Sequence, residues 1–350
     1  LLPFTYAPRS DGAFNGGVRA ILQDRDGNHW FGSHFEGVCR VGREGVRRFT
    51  IADGLSDDQV RAIQEAPDGS IWFDTGIGVS SFYGGVVRTH ASPEESVPSP
   101  WALDARDLWF KADELVGLGD MGFGDMGFGD KGFGDMGRGA GVYRLHDGRL
   151  TWLALPLPPL LRFDSGYWVT GFAKGKGGRI WIATYNAVFG FDGASFTTID
   201  GTRMGLREGE GAPHVRCVFE DSRGRVWIGN NGIGVIVVDG DSTAGLTPLE
   251  GTGEVLLRMG DPLIASTEAH RDGSLQRVFS IGEDRDGNIW IGTIAGGAWR
   301  YDGRELRQFT ASDGLTTANV MAIHCDRDGT LWLGGTGVFR LTGQRFERVH

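Results

Sequence analysis

Seven times along this chain a tryptophan is followed by a large apolar residue and then, usually, a small one. The runs are Trp30-Phe31-Gly32, Trp72-Phe73-Asp74, Trp109-Phe110-Lys111, Trp181-Ile182-Ala183, Trp227-Ile228-Gly229, Trp290-Ile291-Gly292 and Trp332-Leu333-Gly334. The steps between the tryptophans are 42, 37, 72, 46, 63 and 42 residues. A period of about 40 to 45 residues is what one four-stranded propeller blade needs. The long steps read as one period plus an insertion, so the count is seven units.

The last two units show the grammar of one repeat. Val278-Phe279-Ser280-Ile281 leads through Asp284-Arg285-Asp286-Gly287-Asn288 into Ile289-Trp290-Ile291-Gly292-Thr293. Ala298-Trp299-Arg300-Tyr301, Asp302-Gly303 and Leu306-Arg307-Gln308-Phe309-Thr310 follow. Short apolar or alternating runs bounded by Asp-Gly or Gly-Gly are strands and turns, here strands a, b, c and d. No stretch carries a sustained 3.6-residue apolar period, so helix is nearly absent. Most of the 59 glycines punctuate strands, where hairpin turns need positive φ. The tryptophan of strand b is expected to pack between adjacent blades. The Asp-x-Asp-Gly-x-x-Trp runs at Asp24, Asp284 and Asp326 read as Asx-type turns between strands a and b. A calcium reading fits less well, because equivalent units carry Asp221-Ser222-Arg223-Gly224 and Lys174-Gly175-Lys176-Gly177 instead.

The pattern Asp-Gly-Leu, Val-x-Ala-Ile, Asp-Arg-Asp-Gly-Asn-x-Trp-Ile-Gly-Thr, Arg-Tyr-Asp-Gly and Phe-Thr resembles the propeller repeat of two-component regulators. Residues 18–55, 278–315 and 320–346 match it most fully, followed by 60–88 and 215–238, then 101–155 and 170–199. The resemblance implies an all-β, seven-bladed β-propeller of four-stranded antiparallel blades, spanning 1–350 as one domain. It also implies an extracytoplasmic sensor-type recognition module, placed in a periplasm or secreted. Those sensors add a membrane span and a kinase, which this chain does not show in its sequence.

Formal net charge is −10, and no Lys/Arg cluster stands out, which argues against nucleic acid as partner. No run of eighteen apolar residues exists, so no membrane-spanning segment is expected. The chain opens Leu1-Leu2-Pro3-Phe4 without Met, which leaves a removed leader and a trimmed start as alternatives. Cys39, Cys217 and Cys325 fall in three different blades and read as buried small hydrophobes rather than a disulfide or zinc framework. Arg345–Val349 reads as the outer strand of the last blade, with Phe4-Thr5 and Asp11-Gly12 beside it closing the ring.

Chain direction brings the b–c and d–a connections to one rim. The irregular segments 89–100, 113–140, 156–167, 201–214 and about 251–276 all fall there, and variable insertions on one face of a scaffold mark a working face. The candidate ligand-binding residues on that rim are His34, Glu36, Tyr185, Asn186, Asn230, Asn231, His214 and His270. Amide, hydroxyl and guanidinium groups with aromatics suit a glycan or other polar small ligand, or a protein partner. No cofactor or metal is expected. A lyase would draw base, acid and cation from Tyr185, His214, His270, Arg203 and Arg271, and a hydrolase its carboxylate pair from Glu36 with Glu208 or Glu210. Neither set is committed as catalytic. A four-fold Gly-Phe-Gly-Asp-type pentapeptide lies within 113–140; its Phe123, Phe128, Phe133, Met121 and Met126 are a candidate adhesive arm for a partner. The favoured function is non-catalytic recognition through the loop-rich rim.

Overall fold

The computed structural model describes residues 17–91, 101–111, 139–162, 164–206, 212–231, 233–240, 242–248, 255–259 and 275–349. Seven antiparallel sheets follow one another along the chain as the blades of a propeller. Blade one is Val18–Gln23, His29–Ser33, Val38–Gly42 and Gly45–Phe49, strands a to d from axis to periphery. The inner strands of the other blades are Val60–Glu65, Val169–Lys174, Val215–Glu220, Val278–Glu283 and Val320–Cys325. Two sheets depart from four strands. Blade five gains a fifth, Val255–Met259, inside the segment expected to be loop. Blade three has three among the described residues: Leu108–Lys111 (strand b), Gly141–His146 (strand c) and Arg149–Ala154 (strand d). Helix is confined, among the described residues, to single 3₁₀ turns such as Ile51–Asp53 and Ala311–Asp313.

The seven tryptophans pack between blades as expected, none more than 8% exposed. Trp30 meets Phe49 of its own blade and Phe73 and Phe82 of the next; Trp290 meets Phe309 and then Phe346 of blade seven. The small residue two places on has a separate purpose. A Cβ at Gly32 would stand 2.8 Å from Val60 Cγ1, and one at Gly229, 2.6 Å from Val278 Cγ1. At Gly334 it would stand 2.8 Å from Val18 Cγ1. The glycine therefore admits the first valine of the neighbouring inner strand, which sets how closely two blades approach.

The turn aspartates do more than shape the turn. Asp284 Oδ1 accepts from the N–H groups of Asp286 (3.0 Å) and Asn288 (2.9 Å), and Oδ2 from the Trp290 indole at 2.7 Å. Asp24 and Asp326 repeat this, taking the Trp30 and Trp332 indoles at 2.7 and 2.8 Å, and Asp221 takes Trp227 at 2.9 Å. One carboxylate thus fixes both the a–b turn and the indole.

The residue after that position, held by an aspartate in three of four cases and by Gly175 before Lys176, clamps the next blade. The N–H of Arg25 donates to Glu65, that of Lys176 to Glu220, that of Ser222 to Glu283, and that of Arg327 to Gln23, at 2.7 to 3.0 Å. The last of these joins blade seven to blade one. Each of those blades is built from one continuous stretch, and Arg345–Arg348 is the outer strand of the last. The expected contribution of residues 4–12 to closure lies outside the described residues.

The joints on either side of blade three depart from this pattern; its own equivalent N–H, that of Asp104, turns back to Asp107 at 2.9 Å. Blade three has no described inner strand to receive a clamp, and blade two carries Pro67, with no N–H, at the position of Arg25. Here too the Trp-x-small rule fails twice, at Asp74 and Lys111, and the two exceptions meet: the Lys111 N–H donates to Asp74 Oδ2 at 3.1 Å. The carboxylate satisfies a backbone donor that an inner strand would otherwise pair.

Asp284→Ala is expected to lower unfolding free energy by about 2–4 kcal/mol, because an indole, an amide and two backbone donors lose one acceptor. Urea denaturation measures it, and a loss under about 0.5 kcal/mol would show that the turn holds without the carboxylate.

Candidate functional site

All six described inner strands carry a β-bulge at the same place, the second residue, next to the d–a connection. The bulged residues are Arg19, Arg61, Thr170, Arg216, Phe279 and Met321. A bulge leaves one residue out of the ladder and re-aims its side chain. Six in register on the innermost strands form a ring at the axial mouth, on the rim shared by the b–c and d–a connections.

Contacts across this ring fix its geometry. The Arg216 guanidinium lies 4.8 Å from the Tyr185 ring and 5.2 Å from the Phe279 ring, and its Nη1 donates to Tyr185 Oη at 3.1 Å. Arg61 Nε donates to Gln59 Oε1 at 2.6 Å, and Gln59 Nε2 lies 3.4 Å from His34 Nδ1. Lys111 Nζ donates to the Thr170 carbonyl at 2.5 Å. Burial lowers the Arg19 pKa to about 10, helped by the charges of Arg61 and Arg216 and opposed by the Tyr185 phenol. Blades one and five are not neighbours, so Arg19 and Arg216 feel each other across the axis. Two polar atoms in the ring, Arg216 Nε and Thr170 Oγ1, are buried without a hydrogen-bond partner. Phe35 and Ile77, from the b–c connections of blades one and two, stand exposed on the same rim.

The sequence candidates divide around this ring. His34 and Tyr185 belong to it. His214 adjoins it, 6.5 Å from Tyr185 ring to ring, with a left-handed backbone of φ 49° and a carbonyl that accepts from Asn231. Asn231 Oδ1 accepts from Arg277 Nε at 3.1 Å. Asn186 packs against Gly166 and donates its N–H to that residue's carbonyl at 2.8 Å. Asn230 is fully buried, its amide directed to the Ile228 and Gly234 carbonyls. Glu36 is turned away from His34 and buried, 3.4 Å from Arg48 of the outer strand, so the two do not form a ligand pair. Arg203 donates to the Gly240 carbonyl of the next blade. His270, Arg271, Glu208 and Glu210 lie outside the described residues, as do Phe123, Phe128, Phe133, Met121 and Met126. The bulge arginines escaped the sequence reading. Their only signal was the repeated Val-Arg at the start of strand a, in Val18-Arg19, Val60-Arg61 and Val215-Arg216.

A second concavity lies on the opposite rim, at the joint between blades two and three that lacks a clamp. This cleft of about 310 Å³ is lined by Pro67, Ser70, Trp72, Asp104, Arg106 and His146, among others. In its wall the buried Asp107 accepts from Arg144 Nε at 2.7 Å and lies 2.6 Å from His146 Nδ1. Arg144 also stacks over Trp101 and Trp109, so this network braces the short turn of blade three.

His34 supplies a pH signature. Burial, then Arg19 and Arg61, pulls its pKa down from 6.5 to about 4. The unfolded chain therefore takes up the proton first, and folding stability is complete above pH 6.5 and declines as pH falls toward 4. His34→Gln should flatten that decline by about 1 kcal/mol, allowing for the ring's half-exposed position. Denaturant midpoints of both proteins at pH 7 and pH 4.5 check this, and parallel declines would rule it out.

The family described as two component regulator propeller matches residues 12–35, 209–232, 272–295 and 314–337, the a–b hairpins of blades one, five, six and seven with their approaches. No curated protein matches the chain by sequence. Among solved structures, the chain is similar to the extracellular domain of a hybrid two component system from B. thetaiotaomicron, with TM-score 0.60 and 19% identity over 93% of this chain. It spans 38% of that domain's length. It is also similar to a streptogramin B lyase (TM-score 0.57, 14% identity, 95% of this chain and 92% of the lyase). YCF48 from Cyanidioschyzon merolae is another (TM-score 0.53, 12% identity, 93% of this chain and 94% of that one). At these identities the likeness is one of fold.

Proposed function

Because the chain carries two-component regulator propeller repeats, we propose that it is a non-catalytic recognition module of the sensor type. It binds a polar ligand, a saccharide in the first place, at the axial mouth of the loop-rich rim. The observation that supports this reading is the ring of in-register bulges. The same residue of six inner strands is taken out of the ladder beside the axis, at the rim where the longer connections gather. The ring combines guanidinium groups with Tyr185, Phe279 and Met321, a mixture of donors and apolar faces suited to a small polar ligand. Its setting in the first solved structure above is an extracellular domain, which favours a periplasmic or secreted location for this chain too. The lyase reading has one geometric support, the approach of His214 to Tyr185. Against it stands the Tyr185 hydroxyl, already an acceptor for Arg216.

An oligosaccharide array probed with the wild type, with Arg61→Ser/Phe279→Ala, and with His146→Ala tests the proposal. Ligands retained by the wild type and by His146→Ala, on the far rim, should be weakened at least tenfold (about 1.4 kcal/mol) by the ring variant. Matched circular dichroism spectra exclude misfolding. Equal binding by all three proteins would move the site away from the axis.

A further inference from the structure

We infer that the cleft between blades two and three, on the rim opposite the axial ring, seats an arginine side chain presented by a partner polypeptide. This seat is separate from the axial mouth and shares none of its residues.

The sister joints show what such a seat looks like. Arg25 of blade one reaches across to the a–b turn of blade two. There its Nη1 donates to the Pro67 carbonyl at 3.0 Å, Nη2 to the Ala66 carbonyl at 2.7 Å and Nε to Glu65 at 2.6 Å. A Cβ on the turn glycine, Gly69, would stand 3.5 Å from that guanidinium. Lys176 and Arg285 hold the same position in blades four and six, and they lie against the turn glycines of the next blades, Gly224 and Gly329. Three joints are thus covered by a long cation resting on the neighbouring turn. In blade two the position is held by Pro67, whose short ring lines the cleft of about 310 Å³ where a sister joint carries its cation.

The receiving turn differs in the sense that a visiting cation requires. The N–H that closes the a–b turn belongs to glycine in blades one, two, five, six and seven, but to Asp107 in blade three. Asp107 is held by Arg144, and its other oxygen meets His146 Nδ1. An ionised carboxylate only accepts, so Nδ1 carries the hydrogen, and Nε2 of the neutral imidazole is an acceptor. Asp147 Oδ2 stands 3.5 Å from Nε2, on a side chain that is 84% exposed. Asp68 brings a further carboxylate from the turn of blade two, bonded to Ser70. Arg106, the one arginine among the described lining residues, is taken up by both carboxylate oxygens of Asp104. The described rim is therefore rich in acceptors, over an apolar floor of Ala66, Trp72, Leu108 and Leu145. Arginine fits both parts: its methylenes cover apolar surface while its five N–H donors meet the acceptors above. The volume lies at the small end of ligand pockets, which suits one long side chain rather than a docked helix or strand.

Isothermal titration calorimetry with acetyl-Gly-Arg-Gly-amide tests the inference. The comparison probes are its citrulline counterpart, which keeps the shape without the charge, and spermidine. The proteins are the wild type, Asp147→Asn, and Pro67→Arg, which puts the chain's own guanidinium at the seat. The arginine peptide should bind the wild type about tenfold or more tightly than the citrulline peptide, the margin of a charge-assisted hydrogen bond. Asp147→Asn should weaken it about two- to fivefold, as loss of an exposed ion pair does. Pro67→Arg should weaken it about tenfold or more, with a circular dichroism spectrum that matches the wild type. A wild type that binds neither peptide, or both equally, overturns the inference, as does a folded Pro67→Arg that binds like the wild type. Should Pro67→Arg not fold, undiminished affinity in Asp147→Asn overturns it alone. Spermidine bound as tightly as the arginine peptide rejects the polypeptide partner and leaves a seat for free amines.

Discussion

A single hydrogen bond, from a tryptophan indole to the aspartate six residues before it, organises this molecule. It locks the a–b turn and holds the indole flat between blades. It also presents the next backbone N–H to the inner strand of the following blade. The glycine two residues beyond the tryptophan then lets that strand come close. Turn, core and joint are therefore one device, repeated around the axis, and among the described residues no strand is exchanged between the first and last blades.

Where one partner of this device is missing, others replace it. Trp72, whose unit has Ala66 in the aspartate position, donates to Ser70 Oγ at 2.8 Å. Trp181 donates to Glu220 of the following blade at 2.5 Å. The indole must find an acceptor because it is buried, and the chain supplies one from whichever element is near.

That logic explains what could be read from the residues alone. Blade count, strand grammar and the burial of the tryptophans follow from spacing and polarity, which survive substitution of single residues. The turn reading of Asp24, Asp284 and Asp326 follows from the loss of carboxylates in sister units. Arg19, Arg61 and Arg216 were not legible, because a bulge reverses the side-chain alternation by one place, and an arginine in a strand otherwise reads as solvent-facing. Asn230 and Glu36 differ in the opposite direction: a polar residue at the end of strand b or in the b–c connection looks exposed, but Asn230 ends its strand inside the sheet and Glu36 is folded inward by a tight connection. Blade three, which has no inner strand among the described residues, left a trace in Asp74 and Lys111, two polar residues where every sister unit has a small one, and only their mutual contact reveals the meaning.

The joint between blades two and three has a mechanical consequence. A closed ring cannot release any blade until one seam parts, so its lifetime is governed by the seam that parts most easily. Among the described residues, five seams have an inner strand on each side and a sixth has a lysine reaching across, whereas this one is held by the Gln64 side chain on the Trp109 backbone, the Asp74–Lys111 bond and a shared apolar cluster, beside an open cleft. The propeller is thus a circle with a clasp, and the clasp lies a short way around the axis from the guanidinium groups, with Arg61 on one of its two blades.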